Sequence, residues 1–76
     1  MRMIININNI EYVKGFCKAC NELDCDIAVI SGRYTVDGKS LMGIFSLDLS
    51  TNLEVEFERE LTRAEYEIFK EWEVQS

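Results

Sequence analysis

Gly38-Lys39-Ser40-Leu41-Met42-Gly43-Ile44-Phe45-Ser46-Leu47-Asp48-Leu49 is the stretch around which the chain is organised. It opens with a turn, offers a serine where a helix would start, and then runs apolar on more than one side. Ser40 is a favourable N-cap, because its hydroxyl accepts a hydrogen bond from one of the free N–H groups of a first helical turn. Leu41, Met42, Ile44, Phe45 and Leu47 are too many large apolar residues for one face of a two-turn helix. The spacing allows Ile44 and Leu47 to reach a core while Leu41, Met42 and Phe45 stay at the surface. An apolar group exposed beside a cap serine suggests a docking surface. Burial of the whole short helix in a small core is the alternative.

Length and composition bound what surrounds this stretch. The 76 residues are expected to form one domain, 1–76, near the lower end of what folds without a staple. Hydrophobic residues make up 47%, enough for one modest core. With 14 acidic and 8 basic residues the net charge is −6, which repels phosphate backbones, so nucleic acid is not expected as a partner. No apolar run is long enough for a transmembrane helix, and Met1-Arg2-Met3-Ile4-Ile5-Asn6 turns polar too soon for a signal peptide. A cytoplasmic protein with no membrane partner is expected. The chain has no histidine, which removes the commonest general base and metal ligand.

Outward from the central stretch, residues 2–8 alternate as a strand with Met3, Ile5 and Ile7 on one face. Asn8, with Glu11 three residues on, suggests a capping box opening a helix over 9–22. Ile10, Val13, Phe16, Cys17, Cys20 and Leu23 form its apolar side, and Gly15 weakens it by about 1 kcal/mol against alanine. Ile27–Ile30 reads as a second strand, Ser31-Gly32-Arg33 as a tight turn, and Tyr34–Val36 as the returning strand. Leu53–Glu58 is the clearest strand, with Leu53, Val55 and Phe57 inward and three glutamates outward. Thr62 and Glu65 form a second capping box, with Leu61 and Tyr66 at the staple positions. The last helix is expected to run to about Val74, with Leu61, Ala64, Ile68 and Trp72 along one stripe and Phe69 widening it. Trp72 should seal one end of the core. The whole string fits a small α+β sandwich with one sheet and its helices on a single face.

No acid–base site emerges. Glu54, Glu56 and Glu58 share one solvated strand face, whereas two catalytic carboxylates need different surroundings to hold different pKa values. Cys17-Lys18-Ala19-Cys20 has a spacing used by redox pairs and zinc sites. Both thiols nevertheless lie in the apolar stripe of a helix, where small core residues belong. A zinc site would also need a fourth ligand beside Cys25 that no histidine can give. Core cysteines are expected, with no metal, no cofactor and no enzymatic activity; a small thiol or zinc-binding protein is the alternative.

Lys39-Ser40-Leu41-Met42-Gly43-Ile44-Phe45-Ser46-Leu47 resembles the Lys-Ser-Ile-Met-Gly-Val-Met-Ser-Leu segment of HPr, the small histidine phosphocarrier of the bacterial phosphoenolpyruvate-dependent sugar phosphotransferase system. Asp24-Cys25-Asp26-Ile27 is similar to the family's Asp-Ala-Asp-Val, and no insertion separates the two motifs. The resemblance spans residues 2–60, with the last helix matched in kind. It implies an open-faced β-sandwich in the order β-α-β-β-α-β-α, a four-stranded antiparallel sheet carrying three helices on one face.

The resemblance fails at the phosphocarrier site. Ungapped counting puts Asn9 where the family carries its phosphoryl-accepting histidine, and Glu11 and Tyr12 where it has Arg-Pro. An amide does not accept a phosphoryl group as an imidazole does, and a glutamate repels the dianion an arginine would hold. Ser40 matches a serine that a dedicated ATP-dependent kinase phosphorylates in part of the family. A phosphate there would face free N–H groups and the positive helix end with Lys39 alongside. Loss of the histidine with retention of the serine resembles the catabolite-repression HPr branch, which partners a transcriptional regulator. Leu41, Met42 and Phe45, with Lys39, match the family's docking patch. The resemblance thus implies a non-catalytic regulatory interaction domain. Its protein partners would be a phosphotransferase-system enzyme, a kinase or a transcriptional regulator. For Ser40 a cap role alone remains open. A carrier with a non-histidine acceptor is a further alternative, and the apolar group on the short helix can equally build a homodimer.

Overall fold

Alternation sets the centre of the sheet. The computed structural model describes residues 1–74. In β4 (Leu53–Phe57), Leu53, Val55 and Phe57 are buried while Glu54 and Glu56 turn to the other face. Such a strand buries one row of side chains and can still hydrogen-bond on both edges. It does: β1 (Arg2–Ile5) pairs along one side and β2 (Ile27–Ser31) along the other, both antiparallel. β3 (Tyr34–Asp37) then adds to β2, giving the order β1-β4-β2-β3. Met3, Val55, Val29 and Val36 therefore lie in one row across the sheet, on the face that becomes the core. Ile4, Glu54 and Glu56 point the opposite way, and the Arg2 guanidinium bridges Glu54 and Glu56 at 2.7 and 2.8 Å.

The helices cover the apolar face. α1 (Ile10–Asn21) links β1 to β2, α2 (Leu41–Phe45) links β3 to β4, and α3 (Arg63–Phe69) comes after β4. Phe16 of α1 and Phe57 of β4 meet Phe69 edge-on, with centroids 5.8 and 5.2 Å apart. Trp72 closes this cluster edge-on to Phe16 and Phe69. The expected sealing role of Trp72 is what the core shows. Gly15 has a reason as well: a Cβ there would stand 3.2 Å from the Trp72 ring, so the helix accepts a poor helix former to let the indole in. The result is the expected α+β open-faced sandwich.

Boundaries and faces differ in several places. β1 ends at Ile5 rather than at residue 8, although Ile7 is still fully buried. The cap of α1 is Asn9, not Asn8; its extended backbone lets Oδ1 accept the Tyr12 N–H at 2.8 Å. Ile10, expected on the apolar side of α1, is exposed, and Ala19 is buried instead. α3 stops at Phe69, and a single 3₁₀ turn continues over Lys70–Trp72, so the helix does not reach Val74. Ile68 and Ala64 face solvent; Tyr66, Phe69 and Trp72 make the packed side. The tighter turn brings Trp72 inward only if Phe69, three residues earlier, leads the stripe. After it the chain bridges back to β1: Asn6 N–H donates to the Trp72 carbonyl and Val74 N–H to the Ile4 carbonyl at 2.9 and 2.8 Å.

The second capping box is present as expected, with Thr62 and Glu65 reciprocally bonded. Arg59 reinforces it. Its guanidinium reaches Glu65 at 2.8 Å and Asp24, on the loop before β2, at 2.6 Å. The Arg59 and Thr62 bonds hold the Glu65 carboxyl down at about 2. Asp24 is also held below the usual carboxylate range by Arg59.

Candidate functional site

The site is built on the turn from β3 into α2. Gly38 is buried where a Cβ would meet Ile27 at 2.9 Å and Cys20 at 3.2 Å, so only glycine lets the chain pass this close to β2 and α1. Its N–H donates to the Ile27 carbonyl at 2.8 Å. Asp37 then organises the next two residues: its Oδ1 accepts the Lys39 N–H at 2.9 Å and its carbonyl accepts the Ser40 N–H at 3.0 Å. From α1, the Asn21 amide donates to the Lys39 carbonyl at 3.1 Å, with the Cys17 thiol against the same oxygen at 3.5 Å. The partly buried Lys39 ammonium is tied back to the loop after α1, donating to the Leu23 carbonyl at 3.0 Å. The turn is therefore anchored before the helix begins.

Ser40 caps α2 as expected. Its Oγ accepts the Gly43 N–H at 3.1 Å, and the residue is exposed. A Cβ at Gly43 would lie 3.1 Å from that oxygen and 3.3 Å from Val36 Cβ, so glycine keeps the hydroxyl uncrowded and lets α2 rest on β3. The apolar residues divide as their spacing allows. Ile44 is fully buried and Leu47 is in the core, whereas Met42 is 80% exposed, Phe45 39% and Leu41 37%. Beyond α2 the Asp48 carboxyl accepts from both the N–H and the hydroxyl of Ser50, which hold its pKa below the usual range.

Asn9 lies at the other helix start. Its side-chain oxygen is occupied by the cap, and the residues after it, Ile10, Glu11 and Tyr12, are all exposed. The structure keeps Asn9 and Ser40 at two different helix N-termini, each closing its own first turn. Cys17, Cys20 and Cys25 are free and buried in the core, and desolvation pushes the thiols of Cys17 and Cys20 up, away from the reactive thiolate. Among the described residues no group of three or more Cys, Asp or Glu side chains converges as a metal site. No helix among them is long and apolar enough to cross a membrane.

Sequence reasoning missed the groups that hold the turn. Asn21 and Asp37 act on Lys39 from 18 and 2 residues away. Asp37 carried a local signal, an aspartate just before Gly-Lys-Ser, while the reach of Asn21 depends on how α1 lies beside α2.

The fold and this turn together define a small open-faced sandwich carrying a serine-capped, apolar-faced helix between its third and fourth strands. The sequence profile described as the PTS HPr component phosphorylation site matches residues 12–68, and the chain belongs to the HPr family of the phosphotransferase system. The match begins after Asn9. Among solved structures, HPr-C-His from Thermoanaerobacter tengcongensis superposes with a TM-score of 0.76 at 20% identity, over 93% of this chain and 88% of that one. The phosphocarrier protein HPr from Bacillus anthracis str. Ames gives 0.66 at 19% identity, over 93% and 89%. No curated protein sequence matches the chain.

Proposed function

We propose that this HPr-family chain is a non-catalytic regulatory interaction domain that docks to protein partners through α2. The observation that carries the reading is the split of α2. One side chain, Ile44, anchors the helix, while Leu41, Met42 and Phe45 stand outward beside an exposed cap serine. An apolar group held outward on a short, well-anchored helix matches the anchor-and-rim pattern of protein interfaces. The opposite case, a phosphoryl carrier, lacks its chemistry: there is no histidine, and the position where the family resemblance expects one is an asparagine serving as a helix cap.

Ser40 is the proposed control point. Phosphorylation would place a dianion beside Met42 and Leu41, so an apolar partner surface would be replaced by one that reads charge. Lys39 contributes by fixing the turn, since its ammonium bonds the Leu23 carbonyl. The partners fitting this surface are a kinase acting on Ser40, a phosphotransferase-system enzyme, or a transcriptional regulator.

The reading is tested by titrating labelled protein with the HPr kinase, or with the first enzyme of the phosphotransferase system, and following amide resonances. Perturbation centred on Ser40, Leu41, Met42 and Phe45, weakened about tenfold or more by Met42→Asp, is expected. Perturbation elsewhere with α2 silent would overturn the proposed surface.

A further inference from the structure

The two outer edges of the sheet are finished differently. Along β1, the segment after the 3₁₀ turn bonds back to Ile4 and Asn6 and bridges Ile5 through Glu73, so that edge is covered. Among the described residues β3 pairs with β2 on one side only. A free strand edge is a template for another strand.

The register of β3 decides which of its groups point outward. Ser31 and Tyr34 flank the two-residue loop Gly32-Arg33, where Gly32 has the positive φ of 59° that the first position of a II′ turn needs. That closing pair is hydrogen-bonded, as is the alternate pair Val29 and Val36, and Gly38 continues the same parity by bonding Ile27. Thr35 therefore turns both main-chain groups away from β2, as does Asp37, whose carbonyl is already taken by the Ser40 N–H. Their side chains lie on the open face with Ala28, Glu56 and Glu58. Tyr34, 67% exposed, shares the helix face with Val36.

We propose that β3 is a self-association edge, on which a second copy of this chain pairs antiparallel about a two-fold axis through Thr35. In that register Thr35 meets Thr35 and exchanges both main-chain hydrogen bonds. Tyr34 lies across from Val36 of the second copy, and Arg33 across from Asp37, each twice by symmetry. Aromatic with β-branched, threonine with threonine and opposite charges are the cross-strand pairs that stabilise antiparallel sheets. Other registers lose this match. Sliding by one residue sets Thr35 against Val36, whose main-chain groups are already bonded to β2. Sliding by two sets Arg33 against Lys39, a like charge, or against Thr35, which leaves Asp37 without a cation. The edge is thus complementary to itself in one register. Each copy carries a net charge of −6, so the pair forms best at an ionic strength that screens the remaining surface.

Sedimentation of the whole chain at physiological ionic strength, over a wide concentration range, tests the proposal. Wild type should associate to dimers, and Arg33→Glu should weaken association about tenfold or more, since two attractive pairs become repulsive. Asp37→Lys should do the same alone, while an equimolar mixture of R33E and D37K should associate again, because only the mixed dimer sets unlike charges opposite at both ends. D37K also removes the acceptor of the Lys39 N–H, so its fold is checked by circular dichroism. Thr35→Cys gives an independent readout. Hydrogen-bonded antiparallel pairs have Cα atoms about 5.5 Å apart, within disulfide range, so air oxidation should give a covalent dimer. Ser50→Cys, on the exposed loop between α2 and β4 and outside the β3 edge, should not. A wild type that stays monomeric at millimolar concentration, R33E that associates like wild type, or equal cross-linking of both cysteine variants would overturn the proposal.

Discussion

α1 and α2 begin on the same device. In each, a polar side chain with extended backbone accepts the N–H three residues on: Asn9 from Tyr12 at 2.8 Å, Ser40 from Gly43 at 3.1 Å. The residues beyond the cap differ. After Asn9 come an exposed isoleucine, a glutamate and an exposed tyrosine, with a carboxylate where an incoming phosphate would need a cation. After Ser40 come two exposed apolar residues, with a glycine that keeps the hydroxyl uncrowded. A cap is a local solution available to many residues, and its chemistry is decided by the atom that caps and by the neighbours it keeps. An amide oxygen leaves no nucleophile at the first start, whereas a hydroxyl leaves one at the second.

The contrast within α2 is open to the largest effect. Ile44→Ala empties a fully buried site and should cost about 3 kcal/mol, whereas Met42→Ala, at the most exposed apolar residue of the helix, should stay within about 0.5 kcal/mol. Denaturant unfolding of both variants measures the difference. Equal losses would mean that Met42 is a core residue and that α2 has no outward face.

The two caps come next. Asn9→Ala and Ser40→Ala should each cost about 1 kcal/mol, and Asn9→Ser should restore most of the first loss. Thermal unfolding resolves these changes in a chain of this size. If Asn9→Ala is neutral while Ser40→Ala is not, the claim that both residues are caps of one kind fails.

The smallest effect concerns a third helix start, where Thr62 and Arg59 hold Glu65. Its carboxyl, at about 2, lies below the unfolded value of about 4.3, so the unfolded chain binds the extra proton between them. Stability from this group is complete above the unfolded value and is lost as pH falls through about 2; Asp24, lowered by the same arginine, acts in the same direction. Arg59→Met should flatten the acid limb of the stability profile, read by unfolding between pH 2 and 5. An unchanged slope would remove Arg59 as the cause. Both carboxylates are solvent-accessible, which keeps the effect modest.

Much of this was legible in the sequence wherever the signal is local. Leu53, Val55 and Phe57 alternate so strictly that the central strand and its buried face emerge from period alone. Ser40 and Thr62 announced their helices, because a cap bonds within three residues. The division of the central stretch into Ile44 and Leu47 inward, with Leu41, Met42 and Phe45 outward, came from helical spacing. Adjacent asparagines hid which of Asn8 and Asn9 is the cap, since only the exit of the chain from β1 decides it. The face of α3 turned on Trp72: read as one continuous helix, it aligns with Ile68, but a 3₁₀ turn rotates it onto Phe69. Partners far apart in the chain gave no signal. Arg59 and Asp24 stand 35 residues apart, and Asn21 and Lys39 meet only because α1 packs beside α2.

Under the proposed function the start of α1 carries no phosphoryl group and the start of α2 is the regulated one. Intact-mass analysis in two arms tests it most directly. One arm incubates the protein with phosphoenolpyruvate and the first enzyme of the phosphotransferase system; the other uses ATP and the HPr kinase, on wild type and Ser40→Ala. Wild type should gain no phosphoryl group in the first arm and one in the second, absent from the Ser40→Ala variant. A phosphoryl group gained from phosphoenolpyruvate, or one from the kinase that survives Ser40→Ala, would contradict it.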